Sequence, residues 1–266
     1  IYQIVEQPKF EKKNKILSDR RWDILLLING MPVIHIELKK SWVPVHQAST
    51  QIQKYHKEGM FTGIFSLVQI FVAMTPEETL YFANPWNREE FDRKFFFHWA
   101  DFNNNPINEW TEVIEKLLSI PMAHMLIWFY TIADNGDSKL KVLRSYQYYA
   151  ANAIANKVSK SKHHHERQKG GFIWHTTGSW KTMTSFKTAQ LIAASNDADK
   201  VVFLLDRIEL WTQTLREYRG FADNPQDVQE TENTEMLISK LKSDDKDKVL
   251  IVTSIQKMSN IPEENI

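Results

Sequence analysis

The chain has 266 residues, with 33 basic and 33 acidic side chains, 42% hydrophobic content and no cysteine. These numbers fit a globular protein with a sizeable core, and they exclude a disulfide scaffold and a protein drawn to nucleic acid by its net charge. The longest apolar runs are too short to cross a membrane, so no membrane contact is expected. The lack of cysteine suits a cytoplasmic location.

The first part of the chain predicts a sheet with one helix. Residues 1–21 are polar and basic, which is more typical of a solvated face than of a DNA-contacting strip. Two apolar, β-rich runs then flank Asn29 and Gly30, a dipeptide typical of hairpins. A helix closing at Gly59 is predicted next, followed by strands in "GIFSLVQIFVAMT" and "TLYFANP". The run "FFFHWADF" favours core packing over a base-stacking platform.

The second part has a different pattern, which becomes helical from about Asn108. The run "SKSKHHHERQKGG" is predicted to be a loop, and His163, His164 and His165 within it are more typical of a solvated segment than of a metal site. Short apolar strands in "GFIWH", "KVVFLLD" and "KVLIVTS" then alternate with helices, which indicates a parallel sheet with crossover helices. The sequence therefore predicts two α/β domains, residues 1–110 and 111–266.

The clearest chemical cluster of the first domain is Asp23, Glu37 and Lys39. Glu37 and Lys39 are two residues apart on a predicted strand and therefore project from the same face. Two carboxylates with a lysine suit metal-dependent phosphodiester hydrolysis, because carboxylates hold Mg²⁺ and the lysine steadies the attacking water or the phosphate. Taken alone, the pattern is more typical of exposed charges at the end of a strand than of a metal site.

The pairing register of the hairpin tests this idea. A two-residue loop pairs Ile28 with Met31 and places Asp23 and Glu37 on opposite faces, whereas a three-residue loop or a bulge places them opposite each other. Pro32 lacks an N–H and therefore cannot donate a hydrogen bond to the regular ladder that would follow a two-residue loop. We therefore predict the register that brings the two carboxylates together.

A second cluster resembles a phosphate-binding loop. The segment "HTTGSWKT" supplies Gly178, Lys181 and Thr182 between a predicted strand and a predicted helix, where backbone N–H groups bind phosphate and the hydroxyl binds Mg²⁺. The usual pattern has glycine where this chain has His175 and Trp180, and Trp180 would crowd the approach to phosphate. An ordinary strand–turn–helix is an equally good interpretation of this segment.

Taken together, these segments resemble the R subunit of type I restriction enzymes, along essentially the whole chain. The segment "WDILLLINGMPVIHIELKK" is similar to that family's PD-(D/E)xK nuclease hairpin, which implies a restriction-endonuclease-like α/β/α fold. By this resemblance Asp23, Glu37 and Lys39 are catalytic, with both carboxylates on the metal. The segment "QIQKY" resembles the accompanying Q-x-x-x-Y motif and implies supporting roles for Gln51 and Tyr55, which lie four apart on one helical face.

The later segments resemble a superfamily 2 helicase motor, which implies a partial RecA-like parallel-sheet domain. "LRSYQYYAANAI" is similar to the segment in which a glutamine, here Gln147, recognises adenine. "GFIWHTTGSWKTMTSFKTAQL" resembles motif I, "VVFLLDRIELWTQT" motif Ia, and "VLIVTSIQKM" the segment before the DEAD-type box. The residues implied in ATP binding are Gln147, Thr177, Gly178, Ser179, Lys181 and Thr182, with Thr182 also on the metal. Asp206 and Arg207 are candidate DNA-strand or interface residues, although a helix cap and surface charge explain them equally well.

The resemblance implies an ATP-dependent, site-specific deoxyribonuclease that uses Mg²⁺ and ATP. It acts on double-stranded DNA together with methyltransferase and specificity subunits. A further nuclease acid is expected before the chain's first residue, and a Walker B aspartate and a second motor lobe after its last. This piece alone is therefore not expected to translocate DNA. Two alternatives remain open: another helicase–nuclease fusion in DNA repair, and a catalytically impaired DNA-binding scaffold.

The tryptophans depart from the family pattern. Glycine occurs 8 times and tryptophan 9 times in the chain. Besides Trp180, three tryptophans stand where similar sequences tend to carry glycine: Trp42, Trp86 and Trp128. Trp211 stands where an acidic residue is usual. We hypothesise that some of these tryptophans are engineered or misassigned residues.

Overall fold

The computed structural model describes residues 1–10, 20–85, 91–164, 170–206, 208–244 and 250–262. The chain forms two compact units, one of residues 1–132 and 139–146, the other of residues 133–138 and 147–266. The domain boundary expected between residues 110 and 111 lies within the first unit. Among the described residues, no helix has the length and apolar character to cross a membrane.

The first unit is built around a five-stranded sheet. Its strands are β1 (Tyr2–Glu6), β4 (Ile24–Ile28), β5 (Met31–Leu38), β6 (Ile70–Met74) and β7 (Thr79–Ala83), and two short strands, β2 (Lys9–Phe10) and β3 (Arg20–Arg21), pair separately. The order across the sheet is β1-β4-β5-β6-β7. β5 and β6 are parallel, and the other neighbours are antiparallel.

The predicted hairpin is confirmed, and its register is the one that the carboxylate argument requires. Asn29 and Gly30 form a two-residue turn with φ of 51° and 81°, the left-handed backbone for which this dipeptide is suited. The turn pairs Ile28 with Met31, but a bulge follows, so that Ile24 pairs with Ile36. Continuing that ladder places Asp23 opposite Glu37, as predicted.

One helix covers this sheet, as predicted. Helix α1 (His46–Lys57) packs on β5 and β6, and the chain turns away at Gly59, whose φ is 74°. β6 is buried at every position, which confirms the prediction of a strand covered on both faces. The preceding residues Gly63–Leu67 are a 3₁₀-helix rather than the strand that the sequence predicted, because Gly63 takes a left-handed φ of 60° that a strand cannot accommodate.

The aromatic run packs into the core, as predicted. Phe96 stacks on Phe82 with ring centroids 4.1 Å apart, and Trp99 is buried against Tyr81. Phe95 and Phe102, at the two ends of the run, are exposed. The chain continues through α2 (Trp110–Lys116), α3 (Ile120–Trp128), β8 (Thr131–Asp134), β9 (Lys139–Val142) and α4 (Ser145–His164), and most of α4 belongs to the second unit.

The second unit contains a three-stranded parallel sheet, which confirms the pattern of alternating strands and helices. Its strands are β10 (Val201–Leu205), β11 (Val228–Glu230) and β12 (Leu250–Ser254), in the order β10-β12-β11. Besides most of α4, its helices are α5 (Lys181–Ala194), α6 (Ile208–Phe221), α7 (Thr234–Lys242) and α8 (Ile255–Ser259).

Two predictions in this region were wrong. Phe172, Ile173 and Trp174 form no strand, and the first and last of them are 89% and 87% exposed. Three apolar residues that follow two glycines are a weak basis for a strand without a paired neighbour. The loop predicted from residue 159 is helical as far as His164, because no glycine or proline interrupts α4; residues 165–169, including His165, lie outside the described residues.

Candidate functional site

The first candidate site lies where β5 ends beside the start of β4. Glu37 is fully buried, and its Oε1 lies 3.1 Å from Lys39 Nζ. Asp23 is held next to it, because its Oδ2 accepts a 2.7 Å hydrogen bond from the backbone N–H of Leu38. The strand thus ends in a buried carboxylate, a lysine paired with it, and a second carboxylate fixed by the backbone of the same strand.

Gln51 and Tyr55 on α1 face the same site. The side-chain amide of Gln51 donates a hydrogen bond to the Tyr55 hydroxyl, and that hydroxyl is also 3.3 Å from the backbone oxygen of Arg21. Burial raises the pKa of Tyr55, and the negative charges of Glu37 and Asp23 contribute to the rise. The structure therefore brings all five residues predicted for this site into one neighbourhood.

One residue of the site was missed by the sequence reasoning. His35 is fully buried on β5, and its Nε2 lies 3.5 Å from Glu37 Oε2. Burial lowers the pKa of His35, while Glu37 and Asp23 oppose that shift. The spacing was visible in the sequence, since residues two apart on a strand share a face. Its burial was not visible, and the histidine was therefore not considered.

The residues present fit a hard divalent cation such as Mg²⁺. Carboxylate oxygens are the ligands Mg²⁺ prefers, and Glu37 Oε2 is buried without a hydrogen-bond partner among the described residues. Within those residues, no group of three or more His, Asp or Glu side chains is arranged to hold a metal. Two protein carboxylates suffice for the way Mg²⁺ is usually held, with water and substrate phosphate completing its shell.

The second candidate site is the loop before α5. Gly178 has a φ of 79°, and the Thr176 carbonyl oxygen accepts hydrogen bonds from Ser179 Oγ at 2.7 Å and Lys181 Nζ at 2.9 Å. Thr177 is exposed, while Thr182 is half-buried in the first turn of α5. The first N–H groups of a helix have no acceptor within it and form a natural anion site. Lys181 thus donates a hydrogen bond to a carbonyl of the loop, beside the first turn of α5.

Gln147 connects this loop to α4. Its side chain is fully buried, and its Nε2 donates to the Trp180 carbonyl oxygen at 3.3 Å and to Thr184 Oγ1 at 3.1 Å. The structure therefore brings Gln147 to the loop, although its amide is bonded to the protein itself. Contact with adenine stays a prediction.

Two tryptophans occupy backbone conformations that favour glycine. Trp180 has φ 58° and ψ 46°, and Trp42 has φ 68° with 93% of its surface exposed. Bulky L-residues rarely adopt left-handed backbone, whereas glycine does so without strain. This geometry supports glycine as the fitting residue at both positions. Trp128 and Trp211 are helical, and Trp86 lies outside the described residues.

Asp206 follows β10, at the carboxyl end of a parallel strand. Its backbone oxygen is 3.4 Å from the side-chain Nε2 of Gln256 on α8. Arg207 lies outside the described residues. A role of Asp206 in binding DNA stays a prediction.

Family models match both parts of the chain. The model for the N terminus of type I restriction enzyme R proteins matches residues 1–90. The model of the SWI2/SNF2 ATPase matches residues 146–265. Each candidate site lies within one of the matched ranges.

Curated relatives match over longer stretches. The type I restriction enzyme SsaAORF53P endonuclease subunit of Staphylococcus saprophyticus is 37% identical, over 97% of this chain and 27% of that protein. The SauCOLORF180P endonuclease subunit of Staphylococcus aureus is 36% identical, over 94% of this chain and 26% of that protein. The C-terminal part of the MpnIIP endonuclease subunit of Mycoplasma pneumoniae is 37% identical, over 61% of this chain and 80% of that protein. The chain thus spans about a quarter of the length of the first two relatives.

Proposed function

Because this chain belongs to the family of type I restriction enzyme endonuclease subunits, we propose that its first unit cleaves DNA by metal-dependent phosphodiester hydrolysis. The observation that carries the proposal is the convergence of Asp23, Glu37 and Lys39 at the end of one hairpin, with Glu37 Oε2 buried and without a hydrogen-bond partner in the described part of the chain. A buried carboxylate oxygen of this kind is costly unless a cation or a hydrogen-bond donor completes its environment, and its two lone pairs can accept both.

Each residue has a distinct role in this proposal. Asp23 and Glu37 hold Mg²⁺, and the backbone hydrogen bond from Leu38 fixes the orientation of Asp23. When bound, Mg²⁺ activates a water molecule and neutralises charge that develops on the phosphate. Lys39 is 22% exposed at its side chain and can reach from Glu37 to the attacking water or to a DNA phosphate. Gln51 and Tyr55 support the carboxylates from α1.

We further propose that the second unit is the first RecA-like lobe of an ATP-driven DNA translocase. The loop before α5 would bind the phosphates of ATP, with Lys181 moving from the Thr176 carbonyl to the phosphate and Thr182 holding Mg²⁺. Thr177, Gly178 and Ser179 would supply the loop backbone around the phosphates. Gln147 would position this loop and read adenine. The partners would be double-stranded DNA and the methyltransferase and specificity subunits, in the cytoplasm.

A second candidate function is a DNA-binding scaffold without motor activity. The left-handed backbone of Trp180 favours this candidate, because a bulky side chain stands where the backbone must approach phosphate. Under this alternative the nuclease unit is vestigial, and the chain binds DNA without cutting or translocating it.

The test uses the whole R subunit, assembled with its methyltransferase and specificity subunits. Glu37→Gln and Lys39→Ala are each expected to lower Mg²⁺-dependent DNA cleavage by about 100-fold or more, about 3 kcal/mol of activation free energy. Both should leave DNA-stimulated ATP hydrolysis unchanged. Glu115→Gln is the matched control, since Glu115 is an exposed acid paired only with its neighbour Lys116 in the described structure. Cleavage by Glu37→Gln at the level of Glu115→Gln would refute the nuclease assignment, and absent ATP hydrolysis in all proteins would favour the scaffold.

A further inference from the structure

His35 is a buried polar side chain for which the proposed chemistry has no role so far. Both of its ring nitrogens and Glu37 Oε2 lack a hydrogen-bond partner in the described part of the molecule. Nε2 of His35 and Oε2 of Glu37 lie 3.5 Å apart, and both residues are completely buried. Two unsatisfied groups of complementary chemistry thus face each other in the interior.

The orientation of the His35 ring is set by aromatic packing. The centroid of the imidazole ring lies 4.8 Å from the ring centroid of Trp22, 5.6 Å from that of Phe61 and 6.0 Å from that of Phe71, in tilted or edge-on arrangements. These walls leave the imidazole little freedom to turn away from Glu37. A buried imidazole with no other purpose would be less favourable than an aliphatic side chain of the same volume, because its nitrogens lose water and gain nothing.

We propose that His35 is a positioning residue of the candidate nuclease site, which donates its Nε2–H to Glu37 Oε2 and holds the carboxylate in the orientation that receives a divalent cation. This inference rests on the proposed function. The bond closes with a shift of about half an ångström from the present 3.5 Å. Lys39 holds the other oxygen, Oε1, at 3.1 Å, so the two partners together fix the carboxylate plane. Neighbours that orient metal ligands act in this manner.

The experiment measures binding of Mn²⁺ to the whole R subunit by calorimetry, with Mn²⁺ as the probe for Mg²⁺. His35→Leu removes the donor but keeps an apolar side chain of similar volume, and it is expected to weaken Mn²⁺ binding by roughly 10-fold, the lower end of the effect of such neighbours. His35→Gln retains an N–H donor and is expected to recover most of the affinity. Glu37→Gln is expected to lose binding. A purely structural role for His35 would not distinguish Gln from Leu.

His56→Leu is the matched control. His56 is buried and packs on Phe61 and Phe91 through its ring, but it lies on α1 rather than beside Glu37. Equal Mn²⁺ affinity in wild type, His35→Leu and His56→Leu, with binding lost in Glu37→Gln, would overturn the role of His35 and leave the nuclease proposal intact. No Mn²⁺ binding by the wild type would overturn both.

A second measurement needs no variant at position 35. Long-range proton–nitrogen NMR correlations report which ring nitrogen of His35 carries the proton. The Nε2–H tautomer is expected in the wild type, with a change in its nitrogen shift in Glu37→Gln. A proton on Nδ1 alone would overturn the proposal even if His35→Leu does not fold.

Discussion

Replacing Trp180 with glycine is expected to strengthen ATP binding and to stabilise the second unit relative to alanine at the same position. Trp180 is held at φ 58° and ψ 46°, immediately before α5. An L-residue in this conformation costs roughly 1–2 kcal/mol, and glycine avoids that cost. Glycine also loses more chain entropy on folding, about 0.5–1 kcal/mol relative to alanine. Trp180→Gly should therefore be more stable than Trp180→Ala by about 0.5–1 kcal/mol.

The comparison between the glycine and alanine variants separates the steric effect of the indole from the effect of the left-handed backbone. Alanine removes the indole but keeps the Cβ and the left-handed strain, whereas glycine removes all three. We expect Trp180→Gly to bind Mg·ATP at least about tenfold more tightly than Trp180→Ala, a difference of about 1.4 kcal/mol. Urea unfolding gives the stability difference, and calorimetric titration with Mg·ATP gives the affinity.

The control is the double variant Trp180→Gly, Lys181→Ala. It should lose the gained affinity, because the lysine supplies the charge that meets the phosphates. Equal stability and equal ATP affinity of the glycine and alanine variants would refute the argument from backbone conformation. Binding that survives loss of Lys181 would show that ATP is held elsewhere.

Three further predictions concern stability. Burial lowers the pKa of Lys187 from 10.5 to about 8, so the folded state disfavours its ammonium form. Lys187→Met should therefore raise the free energy of unfolding at pH 7 by up to about 3 kcal/mol. Urea unfolding at several pH values should show this gain fading between about pH 8 and 10.5. Gly30→Ala should cost about 1 kcal/mol in chemical unfolding, because φ is 81° at that position, and an unchanged midpoint would contradict the turn geometry. Tyr81→Phe should cost about 1–2 kcal/mol, because the buried hydroxyl donates to the Leu143 carbonyl at 3.0 Å; a loss below about 0.3 kcal/mol by the same measurement would argue against that bond.

Local patterns predicted the elements that depend on local chemistry. The turn at Asn29 and Gly30, the end of α1 at Gly59 and the apolar strands β6, β10 and β12 follow from residue type and spacing. Strand pairing is not local. Predictions from the sequence were therefore wrong where a neighbouring strand determines whether a segment becomes a strand. Phe172 to Trp174 is apolar but unpaired, while β11 is a strand with the polar sequence "VQE" because it lies beside β12.

The part of the candidate site that depends on strand periodicity and pairing register was predictable from the sequence. Asp23, Glu37 and Lys39 required one assumption, a bulge, and Pro32 supplied a reason for it. His35 could not be assigned in the same way, because its relation to Glu37 depends on the aromatic walls of Trp22, Phe61 and Phe71. Those residues are separated from it along the chain, and only the folded core brings them together.

The bulge in β5 determines which residue of that strand lies opposite Asp23. Leu26 pairs with Ile34 and Leu27 with Pro32, so Val33 is the extra residue between them. If the two strands paired without this bulge and Val33 were kept, the turn would be unchanged but Asp23 would lie opposite Ile36, with Glu37 on the other side of the sheet. Under the proposed function, a substitution that straightened the strand could thereby abolish DNA cutting while the motor segment stayed untouched. Natural variation in the bulge residues among relatives is therefore a direct place to look for subunits that pull DNA without cutting it.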